Sequence, residues 1–139
     1  MDNPVAFNPV NLGPSGNPSY DEYINALAAD GSGIYFTRRS KNTGTTGKDF
    51  IEDLYFAGFS ADSTKTAAKL TYPPGQENDA GGLCISPDGR LLFFTACFRA
   101  NGFGSCDLYF SEKTGDEWSE ARNMGNLVNS EAWEAQQSI

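Results

Sequence analysis

The chain repeats itself, and that constrains its fold more than any total does. Asp30-Gly31-Ser32-Gly33-Ile34-Tyr35-Phe36-Thr37 returns 58 positions further on as Asp88-Gly89-Arg90-Leu91-Leu92-Phe93-Phe94-Thr95. Asp53-Leu54-Tyr55-Phe56 returns 54 positions on as Asp107-Leu108-Tyr109-Phe110. A third copy opens at Asn129-Ser130-Glu131-Ala132-Trp133-Glu134, which matches the stretch around Asn17 to Glu22. A period near 55 residues belongs to repeat architectures, in which one supersecondary unit stacks on the next.

Each copy divides into four short apolar or alternating runs. In the first copy they are Tyr23 to Ala28, Gly33 to Arg38, Glu52 to Phe59 and Thr66 to Leu70; in the second, Leu83 to Ser86, Leu91 to Cys97, Asp107 to Ser111 and Trp118 to Met124. Tyr, Phe, Ile and Thr dominate the middle runs, which suits a pleated, half-buried surface. Asp30-Gly31 and Pro87-Asp88-Gly89 separate the first two runs of each copy, where glycine supplies the positive φ of a tight hairpin. No segment carries a sustained helical period with caps. Arg39 to Ile51, rich in Gly, Thr, Ser, Asn and Lys, is a long loop whose counterpart is the shorter Arg99 to Ser105.

The expected architecture is therefore all-β. A closing strand at 5–12 is followed by a four-stranded unit over 20–70, a second over 79–124, and an opening strand at 134–139. Four antiparallel strands per unit make the blade of a β-propeller. A β-sandwich uses a similar number of strands but does not demand the repeat. Two blades and two flanking strands leave the ring incomplete, so the expectation is a piece of a longer propeller, with self-association of copies as the alternative.

Composition narrows the chemistry. The 139 residues are 39% hydrophobic and 20% charged, with a net charge of −8, which opposes nonspecific binding to nucleic acid or anionic lipid. No 18-residue apolar run is present, so no membrane span is expected, and Met1-Asp2-Asn3-Pro4 lacks the basic and apolar regions of a signal peptide. Histidine is absent, which removes Ser-His-Asp triads and His-zinc sites from consideration. Of three cysteines, Cys84 reads as a small buried hydrophobe in Leu83-Cys84-Ile85. Cys97 and Cys106 bracket the loop between two predicted strands; they read as packed thiols, or as a disulfide in an oxidising compartment.

The second unit also carries a resemblance. Ser86-Pro87-Asp88-Gly89-Arg90-Leu91-Leu92-Phe93-Phe94 leads into Asn101-Gly102-Phe103-Gly104-Ser105-Cys106-Asp107-Leu108-Tyr109, then Glu117-Trp118-Ser119-Glu120 and Asn126-Leu127-Val128-Asn129-Ser130-Glu131. This order resembles the TolB-like, WD-repeat-like β-propeller repeats of bacterial envelope proteins, in the version common in Bacteroidetes. There the propeller often accompanies tetratricopeptide repeats and an OmpA-like peptidoglycan-binding domain. The resemblance is strong over 83–139 and looser over 10–64. The first unit departs from it with Ala28-Ala29-Asp30-Gly31 for Ser-Pro-Asp-Gly. The second departs with Asn78-Asp79-Ala80-Gly81 where the first has Tyr20-Asp21-Glu22-Tyr23. The resemblance implies a periplasmic or outer-membrane-associated location and a scaffold that binds protein through its loop face.

Candidate partner-binding residues are those just before the first strand of each copy: Tyr20, Asp21, Glu22 and Tyr23, then Asp79, then Trp133 and Glu134. In a propeller this joint lies near the mouth of the central channel. The competing, structural reading has the same carboxylates bonding backbone amides of the adjacent blade. Asp30-Gly31 and Asp88-Gly89 lack the further acidic ligands of a calcium loop, so no metal or other cofactor is expected. Asp53 and Asp107 read as exposed carboxylates at strand starts, with pairing to a nearby arginine such as Arg38 or Arg99 as the alternative. The expected role is a non-catalytic protein-interaction module. The alternative is a carbohydrate- or peptidoglycan-binding module built on Trp133, Tyr20 and Tyr23. A glycosidase needs two carboxylates flanking a bond, and adjacent Asp21 and Glu22 point to opposite faces of a strand, which disfavours it.

Overall fold

A computed structural model describes residues 8–11, 19–43, 49–59, 67–70 and 79–139. Among these the structure is all-β. Strands β1 (Asp21–Leu27), β2 (Gly33–Lys41), β3 (Phe50–Gly58) and β4 (Ala68–Lys69) form one antiparallel sheet in chain order. Strands β5 (Ala80–Ile85), β6 (Leu91–Cys97), β7 (Cys106–Thr114) and β8 (Glu117–Trp118) form a second, and β9 (Arg122–Asn123) also pairs with β7. Neither sheet closes into a barrel, and no helix among the described residues is long and apolar enough to cross a membrane.

The repeated Asp-Gly turns are built alike. Gly31 and Gly89 both take φ of 71°, a left-handed conformation that costs glycine little. The Gly31 amide donates to Ala28 O (2.9 Å) and the Gly89 amide to Ser86 O (2.8 Å). Asp30 Oδ1 accepts from the Ser32 amide and Asp88 Oδ1 from the Arg90 amide, which explains the aspartate before each glycine. The first strand of each unit bulges, β1 between Ile24 and Ala26 and β5 between Gly81 and Cys84.

The expected fourth strand over Trp118 to Met124 is divided into β8 and β9. Ser119 causes the break: its amide donates to Glu112 O (2.8 Å), while its Oγ accepts from the Glu112 amide (3.0 Å) and stands in for a backbone carbonyl. Thr66 lies outside the described residues. So do residues 5–7 and 12 of the expected closing strand, and 8–11 carry no strand.

The 134–139 segment is not a strand either. Trp133 makes a single parallel bridge to Cys106, and the Glu134 amide donates to Cys106 O (3.0 Å). The chain then crosses the second sheet instead of pairing along it. Gln137 donates from Nε2 to Phe93 O (3.0 Å) and to Gly82 O, and accepts at Oε1 from Thr95 Oγ1 (3.3 Å).

The two sheets stack head to tail. Side chains alternate across a strand, so Tyr35, Thr37, Leu54 and Phe56 share one face of the first sheet. Tyr35 and Leu54 pack in one buried cluster with Leu83, Leu92, Phe94, Ala96 and Tyr109 of the second sheet. The repeat equates Phe94 and Tyr109 with Phe36 and Tyr55, which lie on the opposite face of the first sheet. Each unit thus offers one face forward and the other backward, whereas a two-fold-related sandwich would bury equivalent faces against each other. The ring pairs repeat too: Tyr35–Phe56 centroids lie 4.8 Å apart and Phe93–Phe110 6.3 Å. Leu54 is 0% exposed under the second sheet, while its counterpart Leu108 is half-buried. Each large apolar side chain buried this way contributes about 1.5–3 kcal/mol.

The segment from Trp133 onward meets the second sheet much as β5 meets the first. Gly81 approaches Thr37 in one unit, and Gln137 bonds the equivalent Thr95 in the other. Non-glycine residues with positive φ mark both approaches, Asp79 (62°) and Gln136 (60°).

Candidate functional site

The antiparallel registers bring the starts of β1, β3, β5 and β7 and the ends of β2 and β6 to one end of the molecule, the long-loop end. Every candidate partner-binding residue lies there. The Asp30-Gly31 hairpin sets the register that places Glu22 opposite Arg38 and Asp21 opposite Arg39. Glu22 Oε1 accepts from Arg38 Nε at 2.7 Å and lies 2.7 Å from Nη2, in a pair only 12–14% exposed. The Arg38 guanidinium also stands over three rings: Tyr55 at 4.3 Å, Tyr20 at 5.4 Å and Phe36 at 5.5 Å. Glu22 is therefore held inside the first unit, and Tyr20 presents a ring backed by a cation, 51% exposed.

Tyr23 is engaged as well. Its hydroxyl donates to Glu52 Oε2 at 2.8 Å. Burial pushes this hydroxyl up to about 12, with the Glu52 carboxylate adding to the effect. Gly81 of β5 passes so close that a Cβ there would stand 2.6 Å from Glu52 Oε2 and 2.9 Å from the Tyr23 hydroxyl. The Tyr23–Glu52 pair thus forms part of the joint between the units. Asp79 enters that joint through its backbone, its carbonyl accepting from the Cys97 amide at 3.1 Å. Asp79 and Glu52 also line a shallow hollow of ≈ 450 Å³ with Arg39, Asp49 and Phe50.

Trp133 and Glu134 lie elsewhere on the same end, at the start of β7. Glu134 folds back on its own segment, its Oε1 accepting from Ser130 Oγ (2.5 Å) and its Oε2 from the Ser130 amide (3.1 Å). Trp133 is 68% exposed. The loop between β6 and β7 is closed at its base by a Cys97–Cys106 disulfide between directly opposed residues. Gly104 presses against Ala132 O, and the Ser105 amide donates to Ala132 O (3.2 Å). Phe98 and Phe103 project from this fixed loop with large exposed rings.

The structure accordingly brings Tyr23 to the joint beside Asp79, with Asp21 on the same face of β1. It turns Glu22 and the Tyr20 ring to the opposite face of the first sheet with Arg38, and sets Trp133 and Glu134 apart with Phe98 and Phe103. The carboxylates Glu22 and Glu134 bond inside the chain, while Tyr20 and Trp133 face outward. Glu52 organises the joint, Arg38 holds Glu22 on the opposite face of the sheet, and both escape a reading of composition. The signal for Arg38 is its register, since counting outward from Asp30-Gly31 sets it opposite Glu22.

Asp53 and Asp107 are corrections, because neither is an exposed strand-start carboxylate. Asp107 is 1% exposed and folds the β6–β7 loop, accepting from the Phe103 (3.0 Å) and Gly104 (3.2 Å) amides. Asp53 is buried with Lys69 Nζ 2.8 Å from its Oδ1, a contact that is ionic rather than an aligned hydrogen bond. Both sit inside because an inward carboxylate is tolerated where backbone amides or a cation meet it. No family model, curated protein or solved structure matches the chain.

Proposed function

We propose that the chain contributes two blades to a TolB-like β-propeller and serves as a non-catalytic protein-interaction module of the bacterial cell envelope. The head-to-tail stacking of the two repeated sheets is the observation that carries this reading. Stacking of that kind consumes the faces of the sheets and leaves the loop-bearing ends for recognition. At the long-loop end, Tyr20, Phe98, Phe103 and Trp133 are exposed on a backing fixed by an ion pair and a disulfide. Rigid aromatic side chains of this kind supply most of the energy at protein interfaces.

The test is retention of envelope proteins by the immobilised chain, compared with Trp133→Ala and with a Phe98→Ala/Phe103→Ala variant. Saturable retention that falls in these variants, with unchanged circular dichroism, is expected. A second reading, glycan binding, draws on the open face of Trp133, since sugars stack on such rings. Saturable binding on a glycan or peptidoglycan array, lost in Trp133→Ala and without any retained protein, would replace the first reading with the second.

A further inference from the structure

At the opposite end, where the tight turns lie, the two units part around a groove of ≈ 670 Å³. This falls in the range of pockets that take several side chains or a small ligand. Its floor is apolar, with Tyr35, Phe56 and Leu70 from the first unit and Ile85 and Trp118 from the second. Its rim carries Asp30, Asp88, Asp116 and Glu117 against the cations Arg90 and Lys113.

The charges of this rim do not balance. Asp30 and Asp88 are held below the usual carboxylate range, mainly by hydrogen bonds from Ser32 and Ser86, with Lys113 and Arg90 adding attraction. Each cation therefore already has a carboxylate near it. Lys113 is further occupied by the Trp118 ring, 5.9 Å away. Asp116 and Glu117 have no ionic partner among the described residues. The floor offers a polar group as well. Tyr35 is 6% exposed and its hydroxyl donates to no described residue; it opens into the groove instead of being sealed from solvent, so a ligand carbonyl can accept from it.

We propose that this groove binds a segment of a partner protein that presents an arginine or lysine beside an apolar side chain. The apolar group lies on Trp118, Ile85 and Phe56, the cation meets Asp116 and Glu117, and a backbone carbonyl accepts from the Tyr35 hydroxyl. The proposal rests on the interaction-module reading and names the partner's chemistry and a second surface for it. Because the walls come from two successive units, neither unit forms the site alone.

The experiment is a nitrogen-15 NMR titration of the chain with an acetylated, amidated leucine–arginine–phenylalanine tripeptide. Saturable shifts at the amides of Gly31, Gly89 and Gly115 are expected. Replacing the arginine by glutamate, or using Asp116→Asn/Glu117→Gln protein, should weaken binding by about tenfold. These exposed substitutions leave the core untouched, and unperturbed shifts elsewhere will show that the variant folds. Shifts confined to the long-loop end, affinity indifferent to charge, or no saturation would each overturn the proposal. So would a concentration-dependent dimer that the double variant abolishes, which would assign the groove to a second copy. Retention of an envelope protein by the double variant as strongly as by the parent chain overturns the groove and leaves the module reading standing.

Discussion

Replacing Asn129 by alanine should cost about 2–4 kcal/mol of stability. Asn129 is 3% exposed and lies beyond every regular strand, yet its carboxamide completes the outer side of β7. Oδ1 accepts from the Leu108 amide at 2.8 Å, and Nδ2 donates to Leu108 O at 3.0 Å and Asn123 Oδ1 at 2.8 Å. Truncation leaves Leu108 O its second donor, the Met124 amide at 3.0 Å. The Leu108 amide is orphaned, at about 1–3 kcal/mol, and the two lost Nδ2 bonds add about 1 kcal/mol between them when Leu108 O keeps a partner. With a urea m-value of about 2 kcal/mol/M, the midpoint should fall by roughly 1–2 M with m unchanged. Hydrogen exchange at the Leu108 amide should accelerate by at least the same free energy. A loss under about 0.5 kcal/mol, the range of neutral surface changes, would refute the stapling role.

Other consequences are local. Reduction of Cys97–Cys106, or its replacement by serines, opens a loop of sequence separation 9; the chain-entropy relation gives a loss of about 2–3 kcal/mol, read as a lower melting temperature in reductant. Alanine at Gly104 would drive Cβ into the Ala132 and Ser130 carbonyls, so it should destabilise by about 2 kcal/mol or more, and release Trp133, with a change in tryptophan fluorescence. The Tyr23 hydroxyl is raised from 10.0 to about 12 in the folded chain. The unfolded chain releases that proton first, so stability present below about pH 10 should decline between about pH 10 and 12, and Tyr23→Phe should flatten the decline in denaturation followed at several pH values.

How much was legible follows from where the information resides. The strands of both units and their Asp-Gly turns are local features, carried by alternation and by glycine, and they stand close to where periodicity sets them. The expected fourth strand from Trp118 failed at Ser119, because a side-chain oxygen that replaces a carbonyl leaves no mark on an apolar pattern. Residues 134–139 resemble the opening of a unit, yet Gln137 bonds the face of the second sheet, and pairing between distant segments is not written in either one. The acidic candidates were found by their position in the repeat. Whether a carboxylate faces solvent or a partner inside the chain depends on register. Glu22 therefore turned out to be held by Arg38, and Glu134 by Ser130.

The direction of stacking connects these observations. If equivalent faces met, as in a two-fold sandwich, the Tyr35 face would be spent against its own counterpart and the pairing would end there. The Tyr35–Leu54 face is buried instead by the Phe94–Tyr109 face of the next unit, and the corresponding Phe93–Leu108 face is left to Gln137 and its neighbours. A face-forward arrangement makes each junction a repeated object with two open ends. One end pairs Gly81 with Tyr23 and Glu52; the other sets Asp30 and Tyr35 across a groove from Arg90, Lys113 and Trp118. On the proposed reading, recognition surfaces arise from the joints between units and not from the sheets themselves. The Asp30-Gly31 and Asp88-Gly89 turns stay alike because the turn keeps the register, while the approaches to each sheet differ, Gly81 lying against Thr37 in one and Gln137 bonding Thr95 in the other.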